Sequence, residues 1–373
     1  MKKSLIALAA LTAFSGAALA QSSVTLYGII DLGLVKQNNK DVSTERSLGG
    51  VGMANEELNV AQATKSRIGF RGVEDLGGGL SAKFDLEHRL LPDTGAVNTS
   101  GGNQYWDKAI VGLTSQSWGE VTLGRDYGPT FFSQYLLDPW LNQGIAEVGG
   151  TTYAFAGYSI AGHNARYNDG IFYKLKAAGF TVMLATDLSE ADGVDNRYGV
   201  GMMYEAGPLF ITASYDQEPS LVDSDETDTL FIIGAAYDFG VIKPRIQFAQ
   251  AKLELPFSGE AKPKSFTLAA TAPLGTGLLK VGYTQIDWDA GNPVAQAVYA
   301  AAFAAATSPS AALAAATAGA TAAAGDDMKQ RKFSIGYEYN LSKRTAIYTD
   351  LTSGKTKGSD TVTGVDLGIR HMF

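Results

Sequence analysis

Three features of the chain predict an all-β fold, an antiparallel transmembrane β-barrel of about sixteen strands. Apolar and polar residues alternate with period two through most of the sequence, which places successive side chains on opposite faces of a sheet. Many alternating segments run about nine to twelve residues, the length a tilted strand needs to cross a bilayer. Strands of soluble proteins average ~5–6. Short Gly-rich turns then alternate with long polar loops, the connection asymmetry of an outer-membrane barrel.

The chain has 373 residues, 45% hydrophobic and 18% charged. Its first twenty carry Lys2 and Lys3, an apolar run from Leu5 to Phe14, and Ser15-Gly16-Ala17-Ala18-Leu19-Ala20 before Gln21. A basic start, a short apolar run and a small-x-small ending read as a secretory signal peptide over 1–20. The apolar run is too short to span ~30 Å of hydrocarbon as an anchor. Residues 21–373 then form a single barrel domain. Removing the signal takes away two lysines and no acids, which moves the net charge from −8 to a more acidic −10.

The alternation is clearest near the C-terminus. Phe333, Ile335, Tyr337, Tyr339 and Leu341 share one face, and Lys332, Ser334, Gly336, Glu338 and Asn340 share the other. The same pattern runs through 198–205, 279–284 and 365–373. Short turns fall at Asp75-Leu76-Gly77-Gly78-Gly79, Ser117-Trp118-Gly119, Ala206-Gly207-Pro208, Asp238-Phe239-Gly240 and Pro273-Leu274-Gly275. Long loops fall at roughly 38–64, 92–105, 128–163, 219–227 and 289–328. Tyr27, Trp106, Trp118, Tyr215, Tyr237, Trp288 and Tyr348 lie near expected strand ends, where an interfacial girdle belongs. Sixteen strands of ~11 residues and eight turns of ~3 leave ~150 residues for eight external loops. A barrel this wide encloses water, whereas an eight-stranded one is filled by its own side chains. Its apolar faces point at lipid and its polar faces line the lumen.

One region departs from this pattern. The Ala-rich stretch 295–324, interrupted by Ser308-Pro309, reads as a helical insertion in an external loop at about 290–327. A membrane helix is rejected, because Ala contributes little transfer energy and Ser308-Pro309 breaks the run.

Composition excludes several function classes. A net charge of −8 lacks the basic footprint that nucleic acid demands. With no Cys there are no disulfides, thiolate metal sites or thiol nucleophiles. The three histidines, His88, His163 and His371, are far apart, and nothing beside them resembles a nucleophile elbow. Gly354-Lys355-Thr356 echoes a phosphate-binding loop, but Thr349 stands where that motif needs glycine. The carboxylate pairs Glu56-Glu57 and Asp326-Asp327 fall in external loops and read as solvated. No catalytic step, metal or cofactor is expected.

Five segments carry a family resemblance: Gln21-Ser22-Ser23-Val24-Thr25-Leu26-Tyr27-Gly28-Ile29-Ile30-Asp31; residues 66–80, beginning Ser66-Arg67-Ile68-Gly69-Phe70-Arg71-Gly72; Gly119-Glu120-Val121-Thr122-Leu123-Gly124-Arg125-Asp126; Asn340-Leu341-Ser342-Lys343-Arg344-Thr345; and Gly368-Ile369-Arg370-His371-Met372-Phe373. Together they resemble the general porins of beta-proteobacteria from end to end of the mature chain. The resemblance implies a sixteen-stranded barrel with short periplasmic turns, trimeric, embedded among outer-membrane lipid and lipopolysaccharide, and passing small hydrophilic solutes by diffusion. It implies a third external loop folded into the lumen, here about 127–163. It also assigns the terminal Phe373 to the last-strand signal read by the barrel-assembly machinery.

The resemblance and strand parity together mark a candidate pore constriction. Parity points Ile68 and Phe70 outward, so Lys65, Arg67 and Arg71 face the lumen. Arg67 and Arg166 match family constriction arginines, and Glu87 matches an acidic position. A further basic position falls at Asp107-Lys108, where only Lys108 keeps the charge, so the sign of any ion preference stays open. Asp126 lies at the root of the third loop, with Asp138 and Glu147 within it. Lys83, Arg197, Arg245 and Lys280 join the lumen charges on parity alone. Positive wall residues facing negative loop residues would set up a transverse field that orients polar solutes. The alternatives are a substrate-selective channel on the same barrel, an outer-membrane hydrolase of phospholipase type, and a purely structural or adhesive barrel.

Overall fold

A computed structural model describes residues 23–38, 58–97, 105–149, 165–188, 195–220, 226–255, 259–288, 328–357 and 361–373. The expected signal peptide and the Ala-rich insertion lie outside the described residues. Sixteen strands form the wall: β1 (Ser23–Gln37), β2 (Arg67–Gly77), β3 (Leu80–Leu91), β4 (Lys108–Ser115), β5 (Gly119–Tyr127), β6 (Arg166–Ala177), β7 (Phe180–Asp187), β8 (Tyr198–Ala206), β9 (Leu209–Pro219), β10 (Thr227–Tyr237), β11 (Lys243–Leu255), β12 (Lys264–Leu274), β13 (Gly277–Trp288), β14 (Met328–Asn340), β15 (Thr345–Thr356) and β16 (Thr361–Met372). Short strands at Asn59–Ala61, Ala96–Val97 and Gly259–Ala261 pair onto β1, β3 and β11.

Each wall strand pairs antiparallel with the next, and β1 closes the ring. Its first half pairs with β2, from Ser23↔Val73 to Ile29↔Arg67. Its second half pairs with β16, from Ile29↔Met372 to Gln37↔Gly364. Closure is forced by the solvent. An unpaired backbone N–H or C=O in hydrocarbon costs several kcal/mol, and a closed barrel has no edge on which to leave one.

The two rims differ as expected, with one correction. Seven short connections alternate with eight long ones, and the place expected to hold an eighth turn holds the seam between the chain ends. The turns show their local chemistry: Asp238 Oδ1 accepts the N–H of Gly240 at 2.8 Å, the side-chain turn that Asp favours. Large apolar side chains point outward, among them Val24, Leu26 and Leu34 on β1, Val111 and Leu113 on β4, and Leu367 and Ile369 on β16. The inner face carries Thr212, Ser214, Asp216, Gln247, Thr267, Thr284, Ser334 and Thr352, all buried.

The girdle assignment is partly overturned. Trp118 and Tyr237 are exposed at turns, with Phe239 against Tyr237 at 4.6 Å. Tyr27 and Tyr348 instead face inward, where their hydroxyls donate to Asp85 at 2.7 Å and Asp31 at 2.6 Å. Both lie on the lumen parity of their strands, so parity outranks position along the strand. The interior is also not purely polar. Trp140, Ala146, Val148 and Ala269 form one buried apolar cluster, and Val35, Ala61 and Ile145 another. Each joins the third long loop to the wall.

Candidate functional site: a loop-lined constriction

The loop between β5 and β6 turns into the lumen at Gly128, and its described part, 128–149, runs against the inner wall. It opens with a short helix, α1 (Pro129–Tyr135), with Pro129 at the first helical position, where a missing N–H is harmless. Pro129, Thr130, Ser133 and Gln134 form its buried side. The Thr130 hydroxyl donates to Asp216 at 2.7 Å, and Ser133 and Thr212 share a bond of 2.7 Å. Beyond the helix, the Trp140 indole N–H donates to Asp350 on β15 at 2.7 Å. Gln143 accepts the Lys65 N–H at 2.8 Å. Glycines on the wall make room for the loop. A Cβ at Gly282 would lie 2.9 Å from Val148 and 3.0 Å from Trp140, and one at Gly234 would collide with Leu137.

Asp138 holds this path together. One carboxylate oxygen accepts the N–H of Trp140 at 3.0 Å, and the other accepts those of Asn142, Val148 and Gly149 at 3.0, 3.2 and 3.0 Å. The side chain is 2% exposed. Burial pushes its carboxyl above the usual range, against the pull of the four amides. Asp138 therefore shapes the loop and does not stand in the lumen as a field-setting charge. Glu147 is also buried. Burial raises its carboxyl to about 7, with Asp138 adding to the rise while Lys332 on β14 and Lys65 oppose it. Lys65 is pushed down to about 8, first by burial and then by Arg89 and Arg166.

The remaining expected residues gather on the wall of β2 to β6, where, among the described residues, charges pair with one another. Arg67 meets Glu87 at 3.5 Å. Lys108 bridges Asp85 at 3.4 Å and Asp126 at 3.3 Å. Arg166 meets Asp107 at 3.1 Å, and the same carboxylate also pairs with Arg89. Arg71 is exposed and lies 5.0 Å over the Tyr27 ring, with no ion pair found for it among the described residues. Among the described residues, the other wall charges thus form local pairs. Elsewhere in the lumen Lys83 pairs with Glu120 at 2.8 Å, Arg197 with Asp216 at 3.0 Å and Lys280 with Glu338 at 2.9 Å. Arg245 donates to the Thr271 hydroxyl at 3.0 Å.

Sequence reasoning missed Arg89, Asp107 and Tyr127, which complete the cluster. Parity was signal enough for Arg89, which lies opposite Arg67 in the β2–β3 register. The hydroxyl of Tyr127 accepts from both Arg89 and Arg166, and Arg166 lies 4.3 Å over its ring. A register shift between Gly124 and Asp126 displaces the end of β5, and a bulge of that kind re-aims the side chains that follow.

The sequence model of Gram-negative porins matches residues 7–359. The chain belongs to this porin family. The outer membrane porin protein 32 of Delftia acidovorans is 34% identical to it over the full length of both chains. Among solved structures, an anion-selective porin from Comamonas acidovorans has a TM-score of 0.72 and 29% identity, covering 95% of this chain and all of its own. The trimer form of OmpT from Vibrio cholerae, at 14% identity, shares the fold, with a TM-score of 0.65 over 94% of this chain and 99% of its own.

This porin is therefore an outer-membrane channel for passive diffusion and not an enzyme. Its closed barrel encloses the lumen, against whose inner wall the described part of the third loop lies.

Proposed function

We propose that this porin passes small hydrophilic solutes with a preference for anions, and that the charge cluster at Asp107 sets that preference. The observation that carries the reading is the sharing of one carboxylate by two guanidiniums, Arg89 and Arg166, with Lys65 close by. A pair neutralises itself, whereas this group keeps surplus positive charge. Arg67, Arg71 and Lys108 line the same wall, with Asp85, Glu87 and Asp126 as counter-charges. Asp138 and Glu147 fix the loop that narrows the passage opposite them. The anion selectivity of the Comamonas neighbour is in keeping with this reading.

The same proposal extends to assembly. Residues 1–20 direct export and are cleaved, and 21–373 form one barrel domain. Three copies associate in the outer membrane among lipid and lipopolysaccharide, as the trimer form of OmpT does for its own chain. Phe373 is the signal taken up by the barrel-assembly machinery. Its N–H and C=O both bond to Gly28, at 3.1 Å each, so the last residue also closes the seam of the barrel.

The test is the zero-current potential of purified protein in a planar bilayer under a KCl gradient. The sign of an anion-permeable pore is expected. Arg166→Gln should bring the potential toward zero, because a unit charge ~7 Å from a passing ion in water is worth ~0.6 kcal/mol, about threefold in occupancy. A cation-selective potential for the unmodified protein would overturn the proposal.

A further inference from the structure

Three aromatic rings line the root of the inturned loop. Tyr127, Phe131 and Tyr135 recur every four residues and stack in series. The first two rings are 3.8 Å apart and 17° from parallel, and the next two 5.5 Å apart at 29°. All three are half-buried. The other side of α1, from Pro129 to Gln134, is the one spent on the wall, so the ring stripe is the side left for the lumen. Leu136, next along the chain, is 41% exposed. The wall around this aromatic run also carries buried Thr, Ser and charged groups.

Cations flank the stack. The Arg166 guanidinium caps the face of Tyr127 at 4.3 Å. At the other end the Tyr135 phenol lies within electrostatic reach of Arg67 and Arg89, and also of Glu87. Ring edges and the open end of the stack can meet a planar ring, and the Arg67 guanidinium, less buried than those of Arg89 and Arg166, offers a fork that matches a carboxylate. A saturated anion of equal size can use only the second.

We propose that Tyr127, Phe131 and Tyr135, with the guanidiniums at their ends, form a subsite in the lumen for small aromatic carboxylates. Such solutes dwell on the stack during passage and transiently obstruct the flow of smaller ions. This inference rests on the anion-preferring reading of the constriction.

The experiment is block of chloride current through the intact porin by benzoate and, separately, by cyclohexanecarboxylate, which matches its charge and size but has no π-system. Each is scaled to the open current of the same channel. Benzoate is expected to block at roughly two- to tenfold lower concentration, the range of one aromatic contact. Phe131→Leu and Tyr135→Leu keep apolar bulk and remove the ring, and either should bring the two blockers together. Tyr173→Phe, on β6 where the hydroxyl donates to the Trp118 carbonyl of a short turn, should keep the difference. Equal block by the two acids, or a benzoate advantage that survives both Leu variants, would overturn the subsite. A cation-selective potential would overturn the underlying anion reading instead, and the ratio of the two blockers would still decide whether the rings bind.

Discussion

Replacing Asp138 by Ala should release the inturned loop while leaving the barrel closed. Its carboxylate accepts four amides, the buried ones of Trp140, Val148 and Gly149 and the half-buried one of Asn142. A buried donor left without a partner costs ~1–3 kcal/mol, so four give ~4–12 kcal/mol. The lower end applies, because burying the carboxylate is itself unfavourable and water from the lumen can reach some of the freed amides. A loss of ~4 kcal/mol multiplies the undocked population by about a thousand. Asp138→Asn should do much less harm. With its carbonyl on the side of Asn142, Val148 and Gly149 it keeps three of the four bonds and offends only the Trp140 N–H, at ~1–3 kcal/mol. Single-channel recording and liposome swelling with neutral sugars of increasing size read the outcome. Asp138→Ala should flicker, conduct more and admit larger sugars, with Asp138→Asn between it and the unmodified protein. Conductance and size limit unchanged in Asp138→Ala would refute the role given to this carboxylate.

Three further outcomes are expected. Anion preference should fall as pH rises from about 6 to about 9: Glu147 gains negative charge as pH passes about 7, and Lys65 loses positive charge as it passes about 8; a permeability ratio flat across that range would count against both assignments. In stability terms the two groups oppose each other. The raised Glu147 favours the docked loop fully below its ordinary value and loses that favour as pH rises through about 7. The lowered Lys65 favours docking at high pH and loses that favour as pH falls through about 8. Gly282→Val places carbon where Val148 and Trp140 already lie within 3.0 Å, so it should displace the loop at a cost of ~1–3 kcal/mol while the strand survives; altered conductance with an unchanged β-sheet circular-dichroism spectrum is the readout. Deleting Phe373 removes two backbone bonds to Gly28, worth ~1–3 kcal/mol at the seam, and should lower the amount of protein assembled in the outer membrane.

The wall was legible because a barrel repeats one rule sixteen times. Period-two alternation in 332–341 places Phe333 toward lipid and Lys332 toward the lumen whichever end of the strand is chosen, so errors at strand ends do not propagate. Turns with Gly, Pro and Asp signals were equally plain. The turn at Ala178-Gly179 was not, because Ala178 takes a positive φ of 50° that its identity does not advertise. Position along a strand misled for Tyr27 and Tyr348, since an inward Tyr with a carboxylate in reach and an outward girdle Tyr look alike in sequence.

The site was only partly legible. Arg67, Lys108 and Arg166 come together on one wall, but pairing depends on register and rotamer, which no local pattern encodes. Asp107 looked like a lost basic charge, and it became the carboxylate that two arginines share. Asp138 looked like a lumen charge, and its role emerged only with the loop folded around it. Trp140 finds Asp350 across 210 positions of sequence, a contact created wholly by closure of the barrel.

The measurement that bears most directly on the channel itself is single-channel current of purified protein as a function of voltage and KCl concentration. An open water-filled pore predicts ohmic steps, grouped in threes for the proposed trimer, whose size grows with salt without saturating at a binding constant. Absence of conductance under conditions where a control porin inserts, or current that saturates as a single tight site would, contradicts passive diffusion through this barrel.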